Sequence, residues 1–284
     1  MDKIIFGDNQ FFGVNHMSEK TSANQMQKFR STEDIYSTLQ YVNEIGIKSF
    51  MFTTHDKLDP VFRMIKDNPA FHDFKLIPCM PYAHKYANAM VELGIIGTIR
   101  KFIPGSKTFT FFKMLQAAIT ANPAPIMKLL VDSEMKQYEG MNVEAVFLLN
   151  IVTDLLLGLG MYHMFSAFAE YTEEKYGVKA GFFTMNYVKL HDILVNKLKM
   201  NNPMICSNVN KIGFRMNPTK RDVENTINGK KSFTIAMSFL ASGALKPKEG
   251  VGYLKELQGI DAVLFGASSP EHIKETKDLL ETLQ

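Results

Sequence analysis

Eight short apolar runs alternate with helix-like segments along most of this 284-residue chain, and few folds accept that order. The runs are 3–7, 45–54, 74–81, 143–150, 178–186, 203–210, 232–245 and 261–269. Between them lie amphipathic patterns. Ser31 with Asp34 opens one that continues through Ile35, Leu39 and Val42; others cover 59–69, 86–103, 161–176, 187–200, 247–257 and 270–283. Pro60 and Pro270 suit first helical turns, and Gly177 suits a helix stop. A strand–helix alternation of this length predicts one (β/α)₈ TIM barrel domain over 1–284. The rival, a doubly wound open sheet, usually carries G-x-G-x-x-G after its first strand. The stretch 6–13, FGDNQFFG, lacks that spacing.

Composition agrees with a large buried core: 46% of residues are hydrophobic and 21% charged. The net charge of +3 is spread without a basic stripe, so no nucleic-acid partner is expected. Two distant cysteines, Cys79 and Cys206, and the absence of a basic-then-apolar leader pattern point to a reducing, cytoplasmic setting. The apolar run 143–165 is interrupted by Glu144, Asn150 and Asp154. It reads as a buried strand entering a buried helix, so no membrane span is expected. Residues 104–141 hold two helical patterns split by Pro123 and Pro125, a helical insertion before the fourth strand. Entering a strand, this insertion is expected on the N-terminal side of the barrel, as a buttress or a contact between copies in a homo-oligomer. Phe109, Phe111, Phe112 and Met114 would supply the face, or pack within the chain.

Barrel chemistry sits at the C-terminal strand ends, and six of the eight ends here are polar. The first offers Asp8, Asn9, Gln10, Asn15 and His16, and the second Thr53, Thr54, His55 and Asp56. Cys79, Tyr82, His84 and Lys85 follow the third, Asn150 the fourth and Asn186 the fifth; Asn208, Asn210 and Lys211 follow the sixth. Packing alone would not favour so many buried amides, each needing partners. The pattern therefore predicts an enzyme or a specific small-ligand binder. Asp8, His55, Asp56, Tyr82, His84 and Lys85 are the catalytic candidates, with His–Asp pairs able to move protons near neutral pH. Asn9, Gln10, His16, Asn150, Asn186, Asn210 and Lys211 are the substrate-binding candidates. Asp8, His16, His55 and His84 are suitable metal ligands by type, but no local spacing joins them and no metal is expected. Lys211 is also where a Schiff-base lysine could sit. Cys79 reads as a small buried apolar residue.

From the fifth run onward the chain resembles the aldo-keto reductases, which are (β/α)₈ barrels. The resemblance rests on 235–257, IAMSFLASGALKPKEGVGYLKEL, and on 262–280, AVLFGASSPEHIKETKDLL. It extends to Asn186 at the end of the fifth run, to 205–214, and to 46–56, GIKSFMFTTHD. The resemblance implies an NAD(P) cofactor. Backbone at Ser238, Leu240, Ser242 and Gly243, and at Gly266, Ala267, Ser268 and Ser269, would cradle its phosphates; a plain serine-rich helix cap is the alternative. Lys246 and Lys248 would add charge, while His272 and Lys274 stand where a 2′-phosphate partner would be. The family's Asp, Tyr, Lys and His are all missing. Met51 takes the aspartate position, and no tyrosine stands near His55–Asp56. The lysine position falls at Cys79 or Met80, and the histidine position at Leu149 or Asn150. Tyr82 could replace the tyrosine from a neighbouring strand. The expected function is thus a divergent aldo-keto reductase-like enzyme acting on a small polar ligand, phosphorylated or not. An NAD(P)-dependent oxidoreductase is the first reading. A non-redox lyase, isomerase or aldolase and an inactive ligand-binding barrel are the alternatives.

Overall fold

The computed structural model describes residues 1–14, 18–82 and 123–283. Eight parallel strands form a closed barrel in chain order: β1 Ile4–Phe6, β2 Ser49–Thr53, β3 Lys75–Met80, β4 Ala145–Leu148, β5 Lys179–Phe183, β6 Met204–Asn208, β7 Phe233–Met237 and β8 Ala262–Phe265. Closure comes from β1 pairing with β8, with Ile5 opposite Leu264. Each predicted run holds one strand, shorter than the run at both ends.

The strands are apolar on both faces because both are buried. Alternate residues such as Ile5, Met51, Ile77, Phe147, Cys206 and Ile235 fill the barrel interior. Their neighbours, such as Phe6, Phe50, Phe52, Val146 and Ile205, face the helices. Phe52 stacks against Phe62 of the helix layer with ring centroids 4.5 Å apart.

Ten α-helices are described: α1 Glu19–Lys28, α2 Thr32–Glu44, α3 Asp59–Asp67, α4 Ala124–Met135, α5 Asn150–Leu159, α6 His163–Tyr176, α7 Tyr187–His191, α8 Lys220–Asn228, α9 Pro247–Lys255 and α10 Pro270–Leu280. The expected capping box at Ser31–Asp34 is present. Gly177 ends α6 in the left-handed conformation, φ 67°. The segment 187–200 starts as α7 and continues as a π-helical turn, Asp192–Lys197.

Two helices go beyond the sequence expectations. The polar α1 buries none of its residues, so it carries no apolar stripe to detect. In α8 only Val223 and Ile227 are buried, and its clearest signal was the Thr219–Asp222 cap. The apolar α5 is the helix expected to follow the fourth strand within 143–165. Among the described residues, no helix is long and apolar enough to cross a membrane.

The insertion needs a correction. Its described helix, α4, is not confined to the N-terminal side of the barrel. Asp132 accepts hydrogen bonds of 2.6 Å from the hydroxyls of Tyr171 and Tyr176 on α6, and pairs with Lys175. Two residues on, Glu134 reaches the C-terminal ends of β2 and β3, bonding Thr54 and the Tyr82 amide. The expected helix at 86–103 and the aromatic residues at 109–112 lie outside the described residues.

Candidate active site at the barrel mouth

Asp8 follows β1 directly and is 8% exposed. One carboxylate oxygen accepts two hydrogen bonds of 2.7 Å, from the Thr53 amide and the Thr53 hydroxyl at the end of β2. Burial pushes the carboxyl up to about 6, and the Thr53 bonds pull against that shift without cancelling it. The group therefore changes charge near neutral pH.

Two other candidates join it. His55, just past β2, stacks on Phe12, with centroids 4.6 Å apart, and packs at a tilt against Tyr82, 5.1 Å away. Its Nδ1 accepts from the Lys57 amide at 3.0 Å, which leaves the proton of the neutral ring on Nε2. Tyr82 follows β3; burial, then the charges of Asp8 and Asp56, push its phenol up. Burial and the Asp8 charge also push Cys79 up, well above the usual thiol range, so it is an inert interior residue as expected. Asp8, His55 and Tyr82 thus come together from three strand ends. Asp56 is exposed at their edge.

The amide candidates divide differently. Gln10 is 2% exposed and its amide donates to the Gly7 carbonyl at 2.6 Å. Its Oε1 lies against Gly266, where any Cβ would overlap it. Gly266→Ala is expected to cost about 2 kcal/mol, because a buried, tethered amide cannot step aside; chemical denaturation would measure it. Asn210 is fully buried, and both ends of its amide are bonded to Phe214, its Nδ2 to the carbonyl and its Oδ1 to the amide. Together with Asn208, bonded to the Arg215 carbonyl, it pins the β6 loop. Asn186 caps α7 through the Lys189 amide, Asn150 begins α5, and Asn9 is exposed. Gln10, Asn186 and Asn210 thus make hydrogen bonds within their own loops and caps. Lys211 has its side chain 53% exposed and pairs with Glu249 at 3.5 Å, which removes the burial a Schiff-base lysine requires. His16, His84 and Lys85 lie outside the described residues.

Residues not singled out from the sequence also shape the mouth. Lys57 donates to the Phe11 carbonyl at 2.7 Å, and burial lowers its ammonium. Asp154 of α5 accepts from the Thr184 hydroxyl and the Met185 amide. Glu134 does the equivalent for β2 and β3. No local pattern flags a lone carboxylate on a helix as the partner of a distant strand end.

The expected phosphate turns can be tested on their geometry. Ser238, Ala241 and Ser242 are left-handed at φ 54°, 47° and 57°, as is Gly243 at 95°. Such a run of non-glycine residues is unusual. However, the amides of Ala241, Gly243, Ala244 and Leu245 are bonded within the turn. At β8 the Gly266 face is filled by Gln10. Ser269 caps α10 through the His272 amide, and Glu271 places a carboxylate at the same helix start. A carboxylate there opposes a phosphate. Ala267 and Ser268 are half-buried between these features. None of the loop and turn bonds among the described residues uses the amides of Ser238, Leu240, Gly266, Ala267, Ser268 or Ser269, and these donors, with the Ser238 and Ser242 hydroxyls, are the groups that could face a phosphate. Among the described residues no cluster of His, Cys, Asp and Glu could hold a metal ion.

A closed parallel barrel with Asp8, His55 and Tyr82 at its C-terminal mouth defines the (β/α)₈ class. Solved structures narrow the architecture. A Pseudomonas aeruginosa protein assigned as an aldo-keto reductase matches with a TM-score of 0.59 and 12% identity, over 99% of this chain and 90% of that one. A second structure with the same assignment and organism gives 0.58 and 11%, with the same coverage. A thermostable aldo-keto reductase in complex with the inhibitor epalrestat gives 0.57 and 13%, again over 99% and 90%. At these identities the likeness is one of fold. No protein-family model matches the sequence, and no curated protein matches it.

Proposed function

We propose that this barrel is an enzyme that moves protons on a small polar substrate at its mouth, with Asp8 as the acid–base group. The observation that carries this reading is the buried Asp8 carboxyl, held by Thr53 at a strand end and tuned to about 6. A group with that affinity for protons serves as a base when ionised and as an acid when protonated, at pH values where substrates are stable. Tyr82 and His55 stand beside it as hydroxyl and ring N–H donors for a substrate oxygen. The phenol of Tyr82 is pushed up rather than down, so Asp8 is the better proton source. The test is proton exchange in deuterated buffer on small carbonyl and hydroxy-acid compounds, followed by NMR. Exchange should grow as pH rises through about 6, when Asp8 becomes the base, and disappear in Asp8→Asn. Exchange that persists in that variant sinks the assignment.

The fold likeness to aldo-keto reductases favours a second reading, an NAD(P)-dependent reductase. Its dinucleotide would lie along the β7 turn at Ser238 and Ser242, and would supply hydride. The Glu271 carboxylate at the start of α10 weighs against it. Titration with reduced nicotinamide cofactor decides: no change in fluorescence at millimolar cofactor eliminates the reductase, leaving an isomerase, lyase or ligand-binding role.

A further inference from the structure

Glu134 is the residue through which the inserted helix α4 touches the active site. It is 2% exposed. One carboxyl oxygen accepts the Tyr82 amide at 3.1 Å, and the other accepts the hydroxyl of the buried Thr54. These two partners immediately precede or constitute the aromatic pair at the mouth: Thr54 precedes His55, and the Tyr82 ring packs against His55 at a tilt, with centroids 5.1 Å apart. Packing alone does not call for a carboxyl here. The same helix buries Met127, Val131 and Met135 with apolar side chains, and apolar replacements of buried charged groups are often neutral or stabilising. Burying a carboxyl costs desolvation. What it provides that an apolar side chain cannot is direction, because two bonds fix where the β2 and β3 exits point.

We propose that Glu134 is a positioning residue that clamps the ends of β2 and β3 so that the Tyr82 ring stays packed against His55. This rests on the reading of the mouth as the active site, but its test does not require turnover. In folded wild-type protein, nuclear Overhauser contacts should join the His55 and Tyr82 rings. They should be lost in Glu134→Met and retained in Glu134→Gln, whose Oε1 can still accept the Tyr82 amide and whose Nε2 can donate to the Thr54 hydroxyl. Asp132→Asn is the control. It weakens the outer tether of α4 to Tyr171, Tyr176 and Lys175 and should lower the melting temperature with the ring contacts intact. Ring contacts that survive in folded Glu134→Met, or that vanish equally in Asp132→Asn, overturn the proposal. Should Glu134→Met not fold, wild-type hydrogen exchange still decides. The Tyr82 amide should be protected to the level of β3, and fast exchange there overturns the clamp. A failure of Asp8 to titrate near 6 would instead count against the active-site reading and leave the clamp standing.

Discussion

Asp8→Asn is expected to raise the melting temperature at pH 7 while removing proton transfer at the mouth. The sign follows from linkage. The folded carboxyl titrates at about 6 against a reference of 3.8, so between those values the folded state holds a proton that the unfolded state has released. Stability owed to Asp8 is therefore fully present below 3.8, falls as pH rises to about 6, and stays low above. The difference corresponds to about 3 kcal/mol at neutral pH. Asparagine removes the buried charge, and its Oδ1 can still accept both Thr53 donors. The gain should be about 2–3 kcal/mol, or roughly 3–5 °C for a chain of this size, and should vanish below pH 4. Proton exchange or turnover should fall by about 10²–10⁴-fold. Melting curves at several pH values, set beside an NMR titration of the Asp8 carboxyl, check both halves. An unchanged or lower melting temperature at pH 7 would mean that the carboxyl is not held against desolvation.

The second large effect lies below the mouth. Gly181 on β5 pairs with Phe147 on β4, and the Phe147 ring occupies the space where a side chain at 181 would stand. A Cβ added there would lie 2.2 to 2.4 Å from three carbons of the ring. Phe147 is fully enclosed in the barrel interior, so it cannot swing outward. Gly181→Ala should destabilise by about 3 kcal/mol or more, at the upper end of overpacking costs. Phe147→Leu in the Gly181→Ala background should recover much of the loss. The double mutant would then be better than the sum of the single changes, as expected for residues sharing one space. Denaturant midpoints of the four proteins would show it; strict additivity would rule out the shared space.

Much of the barrel was readable from local patterns. The strands were visible because each is buried on both faces and so is mostly apolar along its length. The helices were visible where a cap and an apolar stripe coincided, as at Ser31 with Ile35, Leu39 and Val42. Where one signal was missing, as in α1 and α8, the helix went unread. The site was legible only as an inventory. Asp8, His55 and Tyr82 were named as strand-end residues and do meet at the mouth. Asn210, Asn186 and Lys211 fit the same description, yet two are spent on loop and cap geometry and the third faces solvent. A polar side chain at a strand end carries no sequence mark of whether its hydrogen bonds are made within its own loop.

By itself the sequence determined the strand–helix alternation, the parallel barrel that follows from it, and the polar character of its C-terminal mouth. These are properties of periodicity and chain order, which act over a few residues at a time. Only the tertiary structure decided that Asp8 is buried against Thr53, that Gln10 lies where a side chain at Gly266 would stand, and that Glu134 ties an inserted helix to the site. Each of these depends on groups 45, 256 and 52 positions apart along the chain. Desolvation, overlap and hydrogen-bond closure are set by what surrounds a group in space, and that is fixed only once the barrel has closed.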